Sequence, residues 1–195
     1  MTVRELLLAN RSFRGFYQQP KPSKEQVMEL VALTRLCPSS GNVQPLKYHI
    51  ICDEDKCAKM VALTRWGGRM KAPRLPRPGY APTAYVLILH DLSISPNPAA
   101  FARDVGIAAL SILLGAIEMG FGGCMLGGYD GKSLMDLLQL PANLQPALLV
   151  ALGKPAETIV LEDAPVGFVN RDNGYYRDGQ DVHHVYKRPL EEIVV

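Results

Sequence analysis

The stretch Pro38-Ser39-Ser40-Gly41-Asn42-Val43-Gln44-Pro45 separates an apolar helical pattern from an apolar strand pattern, and the elements of the chain fall into place on either side of it. Its two prolines remove backbone donors and fix φ, while Gly41 permits a tight backbone path. Ser39, Ser40, Asn42 and Gln44 lie between them and can direct hydrogen bonds at something planar and polar. A polar loop carried by two rigid elements is a common place for a ligand contact. The same residues also suit an ordinary helix-to-strand connector.

Upstream, Ser23 and Gln26 form a capping box behind Pro20 and Pro22, and Val27, Leu30, Val31 and Thr34 recur at helical spacing. They predict a helix to about Leu36, which Pro38 stops. Thr2 and Glu5 form another capping box before Leu6, Leu7 and Leu8, which predicts a short helix over about residues 3–9 ended by Asn10. Just beyond it stands Arg11-Ser12-Phe13-Arg14, two guanidinium groups around a hydroxyl. That is either an anion grip or a solvated basic turn.

Downstream, Leu46–Cys52 alternates and is rich in β-branched and aromatic residues, as a strand is. A short helix is predicted over Lys56–Thr64. Arg65–Pro82 collects Arg65, Arg69, Lys71, Arg74 and Arg77 with no acid among prolines and glycines, so it is loop. It is either a mobile cover that attracts an anion or a solvated irregular segment. Ala84–His90 is continuously apolar, a strand buried on both faces, and Asp91–Ala100 is irregular.

Asp104–Gly120 is the longest predicted helix, with apolar residues on nearly every side and Gly106, Ala108, Ala109, Gly115 and Ala116 available for close approach. A helix apolar all round must be covered all round, and a second subunit is the simplest cover. Gly120–Gly128 follows, five glycines in nine residues, and reads as a turn with exposed backbone. It follows a helix and lacks GxGxxG spacing, so it is not a dinucleotide fingerprint, nor is it a P-loop. Asp130 caps a predicted helix over about Lys132–Leu140, and Ala147–Leu152 is a third apolar strand. The apolar end Leu190–Val195 predicts a terminal strand or arm docked on a sheet edge or on a partner.

At 195 residues, 48% hydrophobic and 21% charged, the chain suits one compact domain. A net charge of only +2 offers no case for nucleic acid or acidic lipid as partner. Cys37, Cys52, Cys57 and Cys124 contain no CxxC pair, which fits free thiols in the cytoplasm. The N-terminus lacks a signal-peptide pattern. Val105–Ile117, the longest uncharged helical run, has thirteen residues and is too short to cross a membrane.

Side-chain catalysis has few candidates. HExxH, CxxC, GxSxG and a Ser/His/Asp order are all absent. His183 and His184 are adjacent on an extended segment and point to opposite faces, so no metal is expected. Cys124 has no neighbouring acid or base and reads as structural. The cations Arg11, Arg14, Lys187 and Arg188 are instead suited to gather around a phosphate.

Taken in order, Arg11-Ser12-x-Arg14, Cys37-Pro38-Ser39-Ser40-Gly41-Asn42-x-Gln44-Pro45, Gly106-Ile107-Ala108-Ala109, Gly120-x-Gly122-Gly123-Cys124 and Ala151-Leu152-Gly153-Lys154-Pro155 resemble the nitroreductase family of flavoproteins. The resemblance covers about residues 3–195. It implies a single FMN-binding domain over 1–195 with an α+β, three-layer fold, its central mixed or antiparallel sheet flanked by helices, in an intertwined homodimer with FMN between subunits. It places Arg11, Ser12, Phe13 and Arg14 at the phosphate and ribityl end, with Lys187 and Arg188 closing on the phosphate. Pro38, Ser39, Ser40 and Asn42 would reach the partner subunit's flavin. The backbone N–H of Gly127 would face the reactive flavin nitrogen, with Met125, Leu126 and Gly128 beside the ring.

The activity implied is ping-pong transfer from NADH or NADPH to nitroaromatics, quinones or similar small acceptors, the flavin carrying the chemistry and no side chain acting as catalyst. Other roles on the same scaffold are reductive dehalogenation, flavin breakdown and non-catalytic FMN storage.

Overall fold

The computed structural model describes residues 1–67, 75–165, 167, 168 and 174–195. The middle of the basic loop, including Arg69, Lys71 and Arg74, therefore lies outside the described residues.

Both predicted capping boxes form. Thr2 opens α1 (Val3–Ala9), which ends at Asn10, and Ser23 with Gln26 opens α2 (Lys24–Thr34); a two-residue strand, β1 (Phe16–Tyr17), lies between them. β2 (Leu46–Ile51) follows the polar loop. The next helix, α3 (Glu54–Ala62), begins two residues before the predicted start, because the Asp53 side chain accepts from the Lys56 N–H and caps it. β3 (Ala84–Asp91) is buried at all eight positions. A 3₁₀ turn over Pro98–Phe101 leads into α4 (Ala102–Glu118). Beyond it lie β4 (Gly122–Leu126), α5 (Gly131–Leu138), capped by Asp130, and β5 (Leu144–Pro155).

β2, β3 and β5 pair antiparallel in that order, and β1 and β4 also pair antiparallel with β5. The two-residue period of β3 then sorts the core into two layers. Ala84, Val86 and Ile88 face Val27 and Leu30 of α2 and Ala109, Ile112, Leu113 and Ala116 of α4. Tyr85, Leu87 and Leu89 face Cys57 and Met60 of α3 and Leu134 and Leu138 of α5. This is the expected three-layer α+β arrangement, with an antiparallel central sheet.

A second, small sheet was not expected. β6 (Ile159–Asp163) runs parallel to β8 (His183–Lys187), which pairs antiparallel with β7 (Tyr175–Arg177). Each strand is short and partly polar, so none stands out from sequence periodicity.

Three expectations are corrected. First, the glycine-rich segment is not a turn: Gly122–Leu126 is strand β4, and the glycines are packing devices. A Cβ on Gly122 would lie 2.7 Å from the Phe13 ring, and one on Gly123 would lie 2.2 Å from the Ala151 carbonyl oxygen.

Second, Leu190–Val195 forms no strand within this chain. Leu190–Glu192 is a 3₁₀ turn, and Ile193, Val194 and Val195 are exposed.

Third, with its 3₁₀ entry the central helix runs over 21 residues, Pro98–Glu118, and an 18-residue stretch of it has mean hydropathy 1.7, so it is long and apolar enough to span a bilayer by length and composition alone. It nevertheless carries Arg103 and Asp104 and packs on α2 and the sheet as a core helix. One side of it is not covered within the chain: Ile107 and Leu110 are 37% and 39% exposed.

Candidate functional site

The end of α1 delivers Arg11, and the extended backbone beyond it docks on β4. Ser12 forms an isolated parallel bridge with Gly123, and the Phe13 N–H donates to the Gly123 carbonyl at 3.0 Å. The Phe13 ring is buried beneath Gly122, so it anchors this segment and presents no face to a ligand.

With Phe13 fixed inward, Arg11, Ser12 and Arg14 turn toward β8. Together with Asn10, Ile159, Tyr175, His183, Val185 and Lys187 they line a cleft of about 290 Å³. Among the described residues no acidic side chain lines it. Arg11, Arg14 and Lys187 form no ion pair among the described residues.

Two groups on this cleft hold buried polar atoms that have no partner among the described residues. The Arg11 guanidinium donates from Nη2 to the Leu7 carbonyl at 2.6 Å, but its Nε has no partner, and burial lowers its pKa. His183 is 1% exposed, and neither ring nitrogen has a hydrogen-bond partner. Burial first, then the Arg14 and Arg177 guanidiniums, hold its pKa down to about 4, so it is a neutral imidazole at ordinary pH. The Tyr175 ring meets it edge-on at 5.3 Å and carries the Arg14 guanidinium 5.5 Å above its own face.

Behind the cations lies Glu157. Its Oε2 accepts from the backbone N–H groups of Arg14 and Gly15, and its Oε1 accepts from Arg177, with both side chains of that ion pair more than nine-tenths buried. Arg177 and Arg77 both also reach Asp181. This network fixes the backbone that carries Arg14. Nothing in the sequence singled out Glu157, Arg177 or Tyr175, and His183 was noted only as one of an adjacent pair.

Arg188 does not join the cleft. Its Nε and Nη2 donate to the side chain and backbone carbonyl of Glu192, at 3.3 and 2.9 Å. This acid, four residues on, satisfies the guanidinium locally.

The polar loop stands apart. Ser39 and Ser40 both turn to Asp104 in the first turn of α4: Ser39 Oγ donates at 2.7 Å, Ser40 Oγ at 2.8 Å and the Ser40 N–H at 3.0 Å. Burial alone would raise the Asp104 pKa, but these donors outweigh it and hold the carboxylate below its usual range. Asn42 and Gln44 take positive φ, 55° and 54°, which ordinary side chains seldom adopt, and the Gln44 amide donates to the Asn42 side chain. Pro38 and Ser39 line a different cleft from the cations, together with Tyr48 and Asp104. Within one chain, the loop and the cations are not brought together.

At the end of β4, Met125 is 39% exposed while the Leu126 side chain is in the core, leaving only its backbone for any ligand. Gly127 stands in open space, whereas Gly128 is covered by Arg65, whose N–H donates to its carbonyl. Cys124 is buried and desolvated, which raises its pKa, as a structural thiol requires. No metal-binding cluster occurs among the described residues.

The three-layer α+β fold carries, where the segment after the first helix meets the last strand, a cationic cleft that no acid lines among the described residues, and its donor set is of the kind that suits an anion. The family model of the nitroreductase family matches residues 7–154. The chain is 28% identical over 158 residues to a provisionally assigned NADH dehydrogenase/NAD(P)H nitroreductase of Archaeoglobus fulgidus, covering 78% of this chain and 85% of that one. It is 27% identical over 187 residues to a Cr(VI) reductase of a Pseudomonas species, covering 89% and 75%. Among solved structures, a nitroreductase family protein of Streptococcus pneumoniae superposes with a TM-score of 0.70 at 15% identity, over 100% of this chain and 99% of that one. A protein of Staphylococcus epidermidis provisionally assigned as an NAD(P)H:FMN oxidoreductase gives 0.70 at 16% identity, over 98% and 94%. The chain belongs to the nitroreductase family, and it is an oxidoreductase.

Proposed function

We propose that this protein is a cytoplasmic, FMN-dependent oxidoreductase that uses NADH or NADPH to reduce nitroaromatics, quinones or similar small acceptors. Residues 1–195 form its single FMN-binding domain, and FMN sits between the subunits of a homodimer. The observation that carries this reading is the cleft of Arg11, Ser12, Arg14 and Lys187, with three cations and, among the described residues, no lining acid and no partner for the buried Arg11 Nε. A phosphate monoester supplies the oxygens this donor set lacks, so the residues present fit the group. At about 290 Å³ the cleft is at the foot of the roughly 300–1,000 Å³ range that encloses a drug-sized ligand. It suits the phosphate end, and a second surface must cover the ring.

FMN, when bound, supplies the redox chemistry, taking hydride from NADH or NADPH and giving it up to the acceptor in a ping-pong cycle. The chain's residues bind and orient. Arg11, Arg14 and Lys187 neutralise the phosphate, and the Ser12 hydroxyl donates to it. Arg188 joins only if it leaves Glu192. Gly127, in open space, offers its backbone to the ring edge, with Met125 beside it.

Pro38, Ser39, Ser40 and Asn42 serve the partner subunit's cofactor. Because both serine hydroxyls donate to Asp104, they face that ligand as acceptors. The uncovered Ile107 and Leu110 of α4, with Leu7 and Leu8 of α1, are the apolar surface that supports dimerisation.

The test is anaerobic. NADH or NADPH should bleach the flavin of the loaded protein, and menadione or a nitrofuran should restore its colour. A flavin that stays oxidised with both reductants contradicts the proposed activity.

A further inference from the structure

We propose that His183 is a ligand-binding residue of the cationic cleft, its imidazole donating one N–H to an oxygen of the bound phosphate. This rests on the reading of the cleft as the seat of the FMN phosphate.

More than nine in ten buried polar groups have a hydrogen-bond partner, and one without asks for a cause. His183 has two such nitrogens on one ring, sealed from solvent in the wall of the cleft that also holds Arg11, Arg14 and Lys187. The Arg11 Nε, orphaned on the same cleft, is a second unmet donor there. Two separate segments, the chain just after α1 and strand β8, thus leave nitrogens without partners among the described residues beside one concavity. The described groups of the protein do not meet these donors, whereas an anion in the cleft can accept from the Arg11 Nε–H and from the one N–H of the imidazole.

The ring is held for that task. Tyr175 meets it edge-on, and β8 is paired on both sides, with β6 and β7, so the backbone of His183 is fixed. The χ2 torsion of histidine is broad, so the ring can adjust to a ligand while its backbone stays in place. A neutral imidazole has one donor and one acceptor. It therefore adds a directed hydrogen bond beside the three cations without adding a fourth charge, which favours an oxygen in one position over any diffuse anion. Its neighbour His184 is turned to the opposite face, against Glu162 and Asp178, and takes no part.

The experiment compares affinities for FMN and riboflavin, which differ only in the phosphate, by flavin-fluorescence titration of the wild-type protein, His183→Phe, His183→Asn and His183→Gln. Wild type should prefer FMN. His183→Phe, which keeps the ring shape and removes the donor, should reduce that preference about tenfold, the effect of one hydrogen bond to a charged group. Asn or Gln should restore part of it.

An unchanged preference in folded His183→Phe overturns the proposal, as does equal loss in all three variants, the mark of a steric role. If wild type itself shows no preference for FMN, the phosphate reading of the cleft fails instead. Should the variants not fold, ¹⁵N spectra of the wild-type imidazole decide: a ring-nitrogen shift on adding FMN but not riboflavin supports the hydrogen bond, and no shift refutes it.

Discussion

Replacing Arg11 by alanine should separate ligand binding from stability. Among the described residues the guanidinium makes one hydrogen bond, to the Leu7 carbonyl at the end of α1, while its buried Nε has no partner and burial lowers its pKa. Losing the contact at the helix C-terminus costs about 0.3–1 kcal/mol, and removing a partly desolvated, unpaired charge offsets it. Stability of the free protein should therefore change by less than about 1 kcal/mol. Binding is different. A shielded hydrogen bond from a charged donor to phosphate contributes about 1.5–3 kcal/mol, which is a roughly 10- to 100-fold weaker Kd for FMN. Riboflavin affinity should barely move. Flavin-fluorescence titration gives the two affinities, and urea denaturation of the flavin-free protein gives the stability. An FMN Kd within about threefold of wild type would refute the assignment of Arg11 to the phosphate. A large loss of stability with equal loss of both flavins would show that Arg11 is a structural residue.

Glu157→Ala leaves Arg177 and two backbone N–H groups buried without their acceptor, so it should destabilise the fold by about 3–5 kcal/mol in urea; a loss below about 1 kcal/mol contradicts the buried network. His183 is held neutral in the fold with a pKa of about 4 against 6.5 when unfolded. As pH falls through that window the unfolded state takes up the proton first, so stability is full above about 6.5 and declines toward 4. The slope should flatten in His183→Phe, and an unchanged slope rejects the buried neutral ring. Gly123→Ala drives a methyl into the Ala151 carbonyl and should cost at least about 1–3 kcal/mol. Gly127→Ala, in open space, should change stability by under about 0.5 kcal/mol in the same assay.

The elements that were legible carry their determinants locally. Thr2 with Glu5 and Ser23 with Gln26 cap helices where they stand, and the unbroken apolar run of β3 needs no partner to be recognised. Gly122 and Gly123 were misread as a turn because their cause is remote: the Phe13 ring and the Ala151 carbonyl, far away in sequence, occupy the space of their missing side chains. β6, β7 and β8 are likewise defined by pairing between distant segments.

The same holds at the site. Arg11, Ser12, Arg14 and Lys187 were visible as cations and a hydroxyl awaiting an anion, and the fold brings them to one cleft. Arg188 looked equivalent to Lys187, but Glu192, four residues on, holds it elsewhere. Glu157 and Tyr175 have no signature of their own, since their importance lies in what reaches them from the opposite end of the chain.

The central proposal is one coenzyme held by cations in one subunit and by the serine loop of another. Purified protein incubated with FMN and passed through a gel-filtration column with absorbance and light-scattering detection tests this directly. The account predicts a yellow dimer that retains one flavin per chain. A colourless protein, or a flavin-loaded monomer, would contradict it.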